Sequence, residues 1–268
     1  MLDRIKKVFG SEGIYNIGML DIAECSVINT RILPEFAKSV VMFTIPYRTF
    51  TDPAHDGFSE YARIYDYHKY ASSLYGRILP AIEKAAGCKT YGFCDHSPIN
   101  EKLAAAKCGL GVIGRNSLFI DKRYGSFVFL GSLITDLVSE SPAHEIELCI
   151  DCGNCASACP NNAIGKHGID PQTCLSGVSQ RKRKSEDELS ILRKNNIAWG
   201  CDICQIVCPY NERAEVSPIA YFNNTRISKI DKGFVMSLSD DEFLKYAFSY
   251  KGRKIVIDNI DNLENHID

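Results

Sequence analysis

The residues of this chain best suited to do chemistry are its twelve cysteines. Eight of them fall between residues 149 and 208, where one run has the spacing C-x2-C-x2-C-x3-C, a second has C-x2-C-x3-C, and one cysteine stands between them. In order they are Cys149, Cys152, Cys155, Cys159, Cys174, Cys201, Cys204 and Cys208, and a proline follows each run. Thiolates at this spacing are typical of proteins that hold [4Fe-4S] clusters with four cysteines each. Eight thiolates predict two such sites, provided that Cys174 is used.

The assignment of these thiols to the two sites follows from the way ferredoxins use the motif. In bacterial ferredoxins the fourth cysteine of a run binds the other cluster. The same crossing predicts one site from Cys149, Cys152, Cys155 and Cys208, and a second from Cys159, Cys174, Cys201 and Cys204. Two zinc sites are the alternative, because C-x2-C pairs also suit zinc. The tight four-cysteine run and the C-x3-C-P ending of both runs match zinc ribbons poorly.

The elements that must position these cysteines can be read from the apolar pattern. Short β-branched apolar runs predict buried strands over residues 14–20, 39–45, 89–94 and 126–134. Helical spacing predicts a short amphipathic N-terminal helix, a long helix from Phe58 to about Ala86 that Pro80 kinks or splits, and helices over 186–194 and 240–248. The pattern indicates an α/β-like front part, followed by the cysteine-rich part.

A second candidate position lies on the connection that follows the strand predicted at residues 89–94. Asp95 and His96 occupy it, and Ser97 with Pro98 predicts the start of the next helix, since serine caps helices and proline suits the first helical position. Site residues are common on such connections. An aspartate there can equally bond the nearby backbone of a turn. The glycine-rich stretch from Gly109 could approach a ligand closely, but it does not follow a strand as a dinucleotide site requires.

Composition limits the classes of function. The chain has 31 basic and 33 acidic residues and a net charge of -2, so it is not as a whole an electrostatic nucleic-acid binder, although a local basic patch is possible. The N-terminus lacks the apolar stretch of a signal peptide, and no run of about 18 apolar residues predicts a membrane span. Cysteines in a chain without such a signal indicate a reducing compartment, which predicts a cytoplasmic protein.

Three segments and the cysteine runs together resemble one known family. The segments are YARIYDYHKY at 61–70, CDHSPINEKLAAAKCGLGVIGRNS at 94–117 and RYGSFVFLGSLITD at 123–136. With the cysteine runs that follow, this order is similar to that of the epoxyqueuosine reductase family over roughly residues 40–250. The resemblance implies a cobalamin-dependent iron-sulfur oxidoreductase of queuosine biosynthesis, which reduces the epoxide of epoxyqueuosine in the tRNA wobble position to an alkene.

The resemblance also implies a fold and a set of domains. We expect an α+β protein in which a nitroreductase-like mixed sheet forms a cobalamin domain over residues 1–140. A ferredoxin-like module with two [4Fe-4S] clusters would follow at 141–215, and a short helical extension at 216–268. Cobalamin would be bound base-off, with a low-potential donor such as flavodoxin or ferredoxin supplying electrons to a monomer.

The family's site residues carry over at matching positions. The proton donor is the aspartate of a D-x-x-P-x-x-E motif, here Asp95, whose pKa must be raised for this task, most simply by burial against the corrin and substrate. The resemblance assigns cobalamin contacts to Arg115, Asn116, Ser117, Tyr124, Gly125, Ser126 and Asp202, each of which could instead be structural. His68 could be an axial cobalt ligand, although a base-off family needs none.

Two departures from the family bear on the substrate. The family writes G-R-D-Y-H where this chain has Ile64 to His68, so an active-site arginine and its glycine are absent. The family also usually continues into a C-terminal helical-repeat domain that grips tRNA, and this chain is expected to be a short form that lacks it. Contact with tRNA is therefore expected to rest on the core and on a basic run, Arg181, Lys182, Arg183 and Lys184, which could also be an ordinary solvated loop.

Two other functions remain open from the sequence. A reductive dehalogenase also combines cobalamin with two clusters, but those enzymes normally carry an export signal. A two-cluster electron carrier whose front domain docks a partner would bind no corrin. Uptake of cobalamin separates both enzymes from the carrier.

Overall fold

A computed structural model of the protein describes residues 2–264. Its strands are β1 (Ile17–Asp21), β2 (Ser39–Pro46), β3 (Thr90–Phe93), β4 (Gly111–Ile113), β5 (Phe119–Asp121), β6 (Val128–Thr135), β7 (Ile164–Gly165) and β8 (Gly168–Ile169). The four strands predicted from the apolar runs correspond to β1, β2, β3 and β6 and are confirmed. The short strands β4 and β5, and likewise β7 and β8, pair with each other as hairpins.

Helices surround the main sheet and make up most of the second half of the chain. They are α1 (Leu2–Gly10), α2 (Tyr67–Ala86), α3 (Glu101–Lys107), α4 (Asn154–Ala158), α5 (Leu175–Ser179), α6 (Glu186–Lys194), α7 (Ile203–Ile206), α8 (Pro209–Glu212), α9 (Ala220–Thr225), α10 (Lys232–Ser237), α11 (Asp240–Phe243) and α12 (Arg253–Glu264). Short 3₁₀ helices occur at Ile22–Glu24, Glu60–Arg63 and Ala247–Lys251. No helix in the described range is long and apolar enough to cross a membrane.

The main sheet has the strand order β1-β2-β6-β3. Since β2 and β3 are both antiparallel to β6, they run in the same direction, and α2 connects them. This is the arrangement of a βαβ unit, except that β6 is inserted between its two strands. The predicted α+β class is confirmed, but the sheet differs from the predicted mixed sheet because every ladder in it among residues 2–264 is antiparallel.

Both faces of the sheet are covered, which explains why all eight residues of β2 are buried. One face packs against α1 and α2 in a core that includes Phe9, Phe43 and Leu74, and to which Ile219 and Phe222 also belong. The other face packs against α3 through its alanines. A separate core joins the C-terminal helices to Phe58 and Trp199, so the predicted domain boundaries at 140 and 215 are crossed by shared packing.

The long helix predicted from Phe58 begins later, at Tyr67, where the Asp66 side chain caps it by accepting from the His68 N–H at 2.9 Å. Of the residues before it, Glu60–Arg63 forms only a short 3₁₀ helix, and distant backbone partners hold the residues on either side: Ser59 donates to the Trp199 carbonyl, and Asp66 to that of Lys245. Tertiary pairing thus overrides the helical pattern. The helix then runs through Pro80 without being split.

Two other predicted helix limits are also corrected. The N-cap of α3 is Asn100, whose side chain accepts from the Leu103 N–H, because a bridge between Val27 and Ile99 keeps the residues after Ser97 extended. The helix predicted over 240–248 ends at Phe243 and resumes as a 3₁₀ helix at Ala247. The predicted N-terminal helix and the helix at 186–194 are confirmed.

Candidate functional site

The first predicted set of thiols comes together on one side of the cysteine-rich part. Burial raises the pKa of the Cys208 thiol, and the neighbouring thiols of Cys152, Cys155 and Cys149 raise it further. All four residues line one small cavity of about 20 Å³. The backbone N–H of Arg115 donates to the Cys149 sulfur at 3.3 Å, so the glycine-rich turn reaches this set. The structure therefore places these four thiols around a common space.

The second predicted set is also assembled, and it is more enclosed. Burial raises the pKa of Cys201 to about 12, and the nearby thiols of Cys174 and Cys159 contribute to the rise. Burial likewise raises the pKa of Cys204 to about 12, with Cys201 and Cys174 as neighbours. The isolated Cys174 is the N-cap residue of α5. The two groups of four are those that the ferredoxin crossing predicts.

Three of the predicted cobalamin contacts, Arg115 to Ser117, lie against the cysteine loops. The Arg115 guanidinium donates to the Gly165 carbonyl at 3.1 Å and pairs with Asp151 at 3.2 Å. The Asn116 side chain bonds the Cys204 thiol and thereby opposes the rise of its pKa. The Ser117 hydroxyl accepts from the Ile169 N–H at 3.0 Å. In the structure these residues connect the turn after β4 to both sets of thiols.

The other four predicted contacts, Tyr124, Gly125, Ser126 and Asp202, belong to a polar junction between β5–β6 and α7–α8. Ser126 donates to the Gln205 side chain at 2.9 Å and accepts from that of Asn211 at 2.8 Å. Gln205 also donates to the Asp202 carboxylate at 2.8 Å. Gly125 has a φ of +61°, and a Cβ there would lie 1.9 Å from the Asn211 amide oxygen, so glycine is required.

Asp95 lies at the wall of a different cavity. This cavity has a volume of about 450 Å³ and is lined by Tyr61, Asp66, Tyr67, His68, Asp95, Phe129, Gln180, Ala247 and Tyr250. None of the seven predicted cobalamin contacts is among these lining residues. Gln180 is the C-cap residue of α5, whose N-cap is Cys174. The short helix α5 thus connects one wall of the cavity to the second set of thiols.

The geometry of Asp95 is held by two residues from the first turn of α2. Asp95 has a φ of +64°, a strained value for a residue with a side chain, and its carboxylate is about half exposed (52%). The Tyr67 hydroxyl donates to this carboxylate, and the His68 Nε2 lies 3.3 Å from it. On its other side the His68 Nδ1 bonds the Asp66 carboxylate at 2.9 Å. His68 therefore bridges two carboxylates, which occupies both ring nitrogens and leaves neither for a metal.

The hydrogen bonds of His68 determine whether His68 or Asp95 carries a proton. The hydrogen bonds to Asp66 and then Asp95 raise the pKa of His68 to about 10, so its ring is protonated at neutral pH. Burial alone would raise the pKa of Asp95, but the hydrogen bonds from His68 and Tyr67 outweigh it and lower that pKa. The raised pKa expected from the sequence is therefore absent in this state. The available proton is on His68, next to an ionised Asp95.

Behind the Asp95 loop lies a carboxyl group to which the sequence analysis gave no role. Glu101 accepts from the Ser132 hydroxyl at 2.8 Å, and Ser132 in turn bonds the Ser97 hydroxyl at 3.1 Å. The Asp95 backbone N–H also faces the Glu101 carboxyl group. Burial raises the pKa of Glu101 to about 8, and the charge of Asp95 adds to this rise. The spacing D-x-x-P-x-x-E was the available signal, since Glu101 is its last residue.

Replacing Glu101 by glutamine is expected to change how stability depends on pH. The ordinary glutamate pKa is 4.5, so between pH 4.5 and about 8 the unfolded chain loses a proton that the folded protein keeps. The stability that this group provides is therefore lost as pH rises through that window. Glu101→Gln cannot ionise, so its Tm should exceed that of the wild type by several degrees at pH 8, and the two should converge near pH 5. Melting curves from pH 5 to 9 measure this.

The control for this prediction is Glu35→Gln, since Glu35 is exposed. Its melting temperature should follow that of the wild type at every pH. A parallel pH dependence in Glu101→Gln and the wild type would show that Glu101 is ionised in the folded protein.

The basic run at residues 181–184 is partly used inside the protein. The Arg181 guanidinium donates to the Glu188 carboxylate and to the Gln172 carbonyl. The Lys184 ammonium donates to the Arg181 carbonyl at 2.8 Å. Lys182 and Arg183 are exposed. Two of the four cations thus remain for an external partner.

Comparison with known proteins matches these features to characterised groups. Residues 148–211 match the family model of the 4Fe-4S double cluster binding domain. The epoxyqueuosine reductase of Gloeobacter violaceus is 33% identical over 229 residues, which are 81% of this chain and 71% of that protein. The epoxyqueuosine reductase of Aliivibrio fischeri is 35% identical over 72% of this chain, and the alignment spans 53% of that protein. The chain thus covers about half to three quarters of the length of its relatives.

Solved structures of the same family share the fold of this chain. The epoxyqueuosine reductase from Streptococcus thermophilus superposes with a TM-score of 0.82 at 25% identity, covering 98% of this chain and 80% of that one. A crystal structure of epoxyqueuosine reductase with an epoxyqueuosine-modified tRNA-Tyr stem loop has a TM-score of 0.83 at 20% identity, which shows the shared fold. A reductive dehalogenase reaches a TM-score of 0.56 at 17% identity and shares the fold more loosely. On these matches the chain belongs to the epoxyqueuosine reductase family.

Proposed function

We propose that this protein is an oxidoreductase that binds cobalamin and two [4Fe-4S] clusters and reduces epoxyqueuosine in tRNA to queuosine. The observation that carries the proposal is the cavity at Asp95. One wall holds a protonated His68 beside an ionised Asp95, and another is formed by Gln180, at the end of the helix that Cys174 caps. A proton donor and a redox centre bound by thiolates would thus both lie next to this cavity.

The thiols fit two four-iron clusters in number, type and grouping. Each set offers four cysteine sulfurs, the ligand set that [4Fe-4S] clusters take. Cys149, Cys152, Cys155 and Cys208 would hold the first, and Cys159, Cys174, Cys201 and Cys204 the second. Backbone N–H groups already point at two of these sulfurs, from Arg115 to Cys149 at 3.3 Å and from Ala163 to Cys159 at 3.2 Å. Such hydrogen bonds to cluster ligands are one of the means by which proteins set a cluster's potential.

The Asp95 cavity suits the flat, amide-fringed corrin of cobalamin. Tyr67 and Phe129 present stacked rings with centroids 3.9 Å apart, an aromatic surface for a macrocycle. The Gln180 amide, which donates to the Tyr61 hydroxyl at 3.1 Å and accepts from Tyr250, offers polar groups for the fringe. His68, the histidine among the lining residues, is held by two carboxylates and is therefore not available as a cobalt ligand. The contacts of Arg115–Ser117, Tyr124–Ser126 and Asp202 with cobalamin stay a prediction.

The reaction needs two electrons and two protons, because an epoxide becomes an alkene and its oxygen leaves as water. Cobalamin, reduced through the clusters, supplies the electrons when it is bound. The task of the chain is to deliver a proton to the departing oxygen. Asp95, ionised in the resting protein, would pass on a proton that it takes from His68, whose Nε2 lies 3.3 Å from the carboxylate, and a second proton by the same route would complete the water. Tyr67 and Asp66 keep this pair in position.

The substrate and partners are part of the same proposal. The relative that binds an epoxyqueuosine-modified stem loop supports tRNA as the substrate, and the exposed Lys182 and Arg183 could contact its phosphates. A low-potential donor such as flavodoxin or ferredoxin would supply electrons to a cytoplasmic monomer. The family's glycine and arginine are replaced here by Ile64 and Tyr65, so a related substrate is also compatible with the proposal. A halogenated aromatic is the competitor to test, given the looser likeness to a dehalogenase.

The test is anaerobic reconstitution followed by two measurements. Protein with iron and sulfide restored should bind cobalamin with a base-off spectrum, and with a strong reductant it should convert epoxyqueuosine in a tRNA stem loop to queuosine, detected by mass spectrometry of the nucleosides. If the protein holds zinc instead of iron and sulfide, or if the reconstituted protein does not take up cobalamin, the proposed cofactors are wrong. Cobalamin uptake without conversion of the stem loop, but with dehalogenation, would replace the proposed substrate.

A further inference from the structure

An aromatic side chain stands exposed at the mouth of the Asp95 cavity. Tyr250, on the 3₁₀ helix Ala247–Lys251, is among the residues that line this cavity, and it is 59% exposed. Its hydroxyl donates to the amide oxygen of Gln180. Its ring meets the fully buried ring of Trp199 edge-on, with the two centroids 5.9 Å apart. Tyr250 is therefore held in place at one end and one edge, while much of its ring is open to solvent.

Three basic side chains belong to the surroundings of this ring. The Lys251 ammonium lies over it, 4.8 Å from the ring centroid. Gln180, which holds the Tyr250 hydroxyl, is followed two and three residues later by Lys182 and Arg183, both exposed. Two residues of chain cannot separate the Cα atoms of Gln180 and Lys182 by more than about 7 Å. The mouth of the cavity thus combines an aromatic surface with cations.

The acidic residues of the same segments do not cancel this positive charge. Residues 180–194 and 240–258 together contain ten basic and seven acidic residues, whereas the whole chain has a net charge of -2. Four ion pairs within the described residues leave six basic and three acidic side chains of these segments without such a partner; the pairs are Glu186 with Arg193, Glu188 with Arg181, Asp240 with Arg253, and Asp258 with Lys254. The two carboxylates of the cavity, Asp66 and Asp95, share the protonated His68. The mouth therefore favours an anionic partner.

A tRNA substrate would bring both an anionic backbone and an unstacked base to this place. To reach Asp95, the wobble nucleotide has to enter the cavity. Enzymes that act on a base take it out of the stack, so the base next to it loses a stacking partner. Proteins that bind single-stranded RNA stack such bases on aromatic side chains and hold the phosphates with cations. Lys251 can give way to the base, because an exposed cation–π contact is weaker than the stacking of a base on the ring.

We propose that Tyr250 stacks on the nucleotide next to the wobble position of the bound tRNA, and that Lys251 holds the adjoining phosphate, with Lys182 and Arg183 beyond it. The inference rests on the proposed function for the tRNA substrate and adds the contact that holds this substrate at the mouth of the cavity. The contact is non-covalent, and Tyr250 takes no part in the transfer of protons or electrons. Its effect belongs to the affinity for the RNA.

The test measures binding of RNA to the iron-loaded protein without turnover. The probe is a fluorescein-labelled tRNA-Tyr anticodon stem loop, and its Kd is measured by fluorescence anisotropy. Tyr250→Leu should raise this Kd about tenfold or more, because leucine has no ring on which a base can stack. Tyr250→Phe should bind as the wild type does, because it keeps the ring and loses only the hydroxyl bonded to Gln180.

An abasic stem loop separates stacking from a merely structural role of the ring. Removal of the base next to the wobble position should weaken binding to the wild type about as much as Tyr250→Leu does. In Tyr250→Leu the same removal should have no further effect, since groups in direct contact are not additive. An effect of the abasic position that is equal in the wild type and in Tyr250→Leu would overturn the proposal.

The phosphate contact and the controls use the same assay. Lys251→Gln should reduce the slope of log Kd against log salt concentration by about 0.7, the value for one phosphate of a single strand. Tyr15→Leu is the matched control for the ring, because Tyr15 is also 59% exposed and does not line the cavity. Lys84→Gln is the control for the charge, because Lys84 is exposed near the far end of α2. Both controls should keep the wild-type Kd and salt dependence.

The remaining outcomes separate this contact from the proposed function. Iron content verifies each variant, and Tyr250→Gln replaces Tyr250→Leu if the latter binds less iron. Unchanged stem-loop binding in Tyr250→Leu with loss of cobalamin uptake would assign the ring to the corrin and overturn the proposal. If the stem loop binds through Tyr250 but epoxyqueuosine is not converted, the proposed reaction fails and the contact stands. If Tyr250→Leu converts the substrate with the wild-type KM, the contact fails and the proposed function stands.

Discussion

Asp95→Asn is expected to lower the rate of epoxyqueuosine reduction by about 10²–10⁴-fold, the usual contribution of a general acid, while cobalamin binding is retained. The amide keeps the size of the carboxylate and can still accept from Tyr67. It cannot take a proton from His68 and pass it on. The loss should therefore appear in kcat, with little change in the affinity for cobalamin. Single-turnover conversion of the stem loop and a cobalamin titration measure the two quantities.

The control for this variant is Asp52→Asn, since Asp52 is exposed and is not among the residues that line the cavity. It should have the wild-type rate. A wild-type rate in Asp95→Asn would remove Asp95 from the reaction and leave His68 as the direct proton donor. Loss of cobalamin binding in Asp95→Asn would instead assign Asp95 to the cofactor site.

Cys174→Ser is expected to remove one cluster and all turnover. This residue lies outside both cysteine runs, yet the structure places it with Cys201 and Cys204, so the second site has only three thiolates without it. Iron content after reconstitution should fall from about eight to about four atoms per chain. Because the second set adjoins the cavity through α5, electrons would no longer reach it. Iron and sulfide analysis, followed by the stem-loop assay, measures both effects.

The matched control is Cys88→Ser, which changes a partly buried cysteine outside both sets. It should bind about eight iron atoms per chain like the wild type. Full iron content in Cys174→Ser would mean that another residue completes the second site, and the crossed assignment would be wrong for that cluster.

The parts of the fold that the sequence predicted are those in which the signal is local. The apolar strands β1, β2, β3 and β6 carry their own pattern, as does helix α6 with its acidic start and basic end, and each was found. Helix limits were less predictable because distant backbone groups decide them. The bridge of Tyr65 to Tyr246 breaks two predicted helices at once, and nothing near either residue in the sequence announces it. The insertion of β6 between β2 and β3 is equally non-local.

In the candidate site, too, local motifs could be read from the sequence and contacts between distant residues could not. The motif predicts Asp95 as the proton donor and the spacing predicts the grouping of the cysteines, and both stay predictions. The proton on His68 could not, because it depends on two carboxylates from different loops. The wall of the cavity combines Tyr67 with Gln180 and Tyr250, which lie far apart in the chain. The residues assigned to cobalamin by resemblance also make contacts that join the two halves of the protein, and their part in binding cobalamin stays a prediction.

The packing of Phe222 has a consequence for the way the chain folds. This side chain is fully buried in the front core, where its ring lies 5.0 Å from that of Tyr70 on α2. The core on this face of the sheet is therefore incomplete until residues from beyond both cysteine runs have arrived. A chain emerging from the ribosome would expose part of that core while most of the molecule is made, since such contacts of high sequence separation form late. All eight cysteines of the two sets would thus leave the ribosome before the front core is complete.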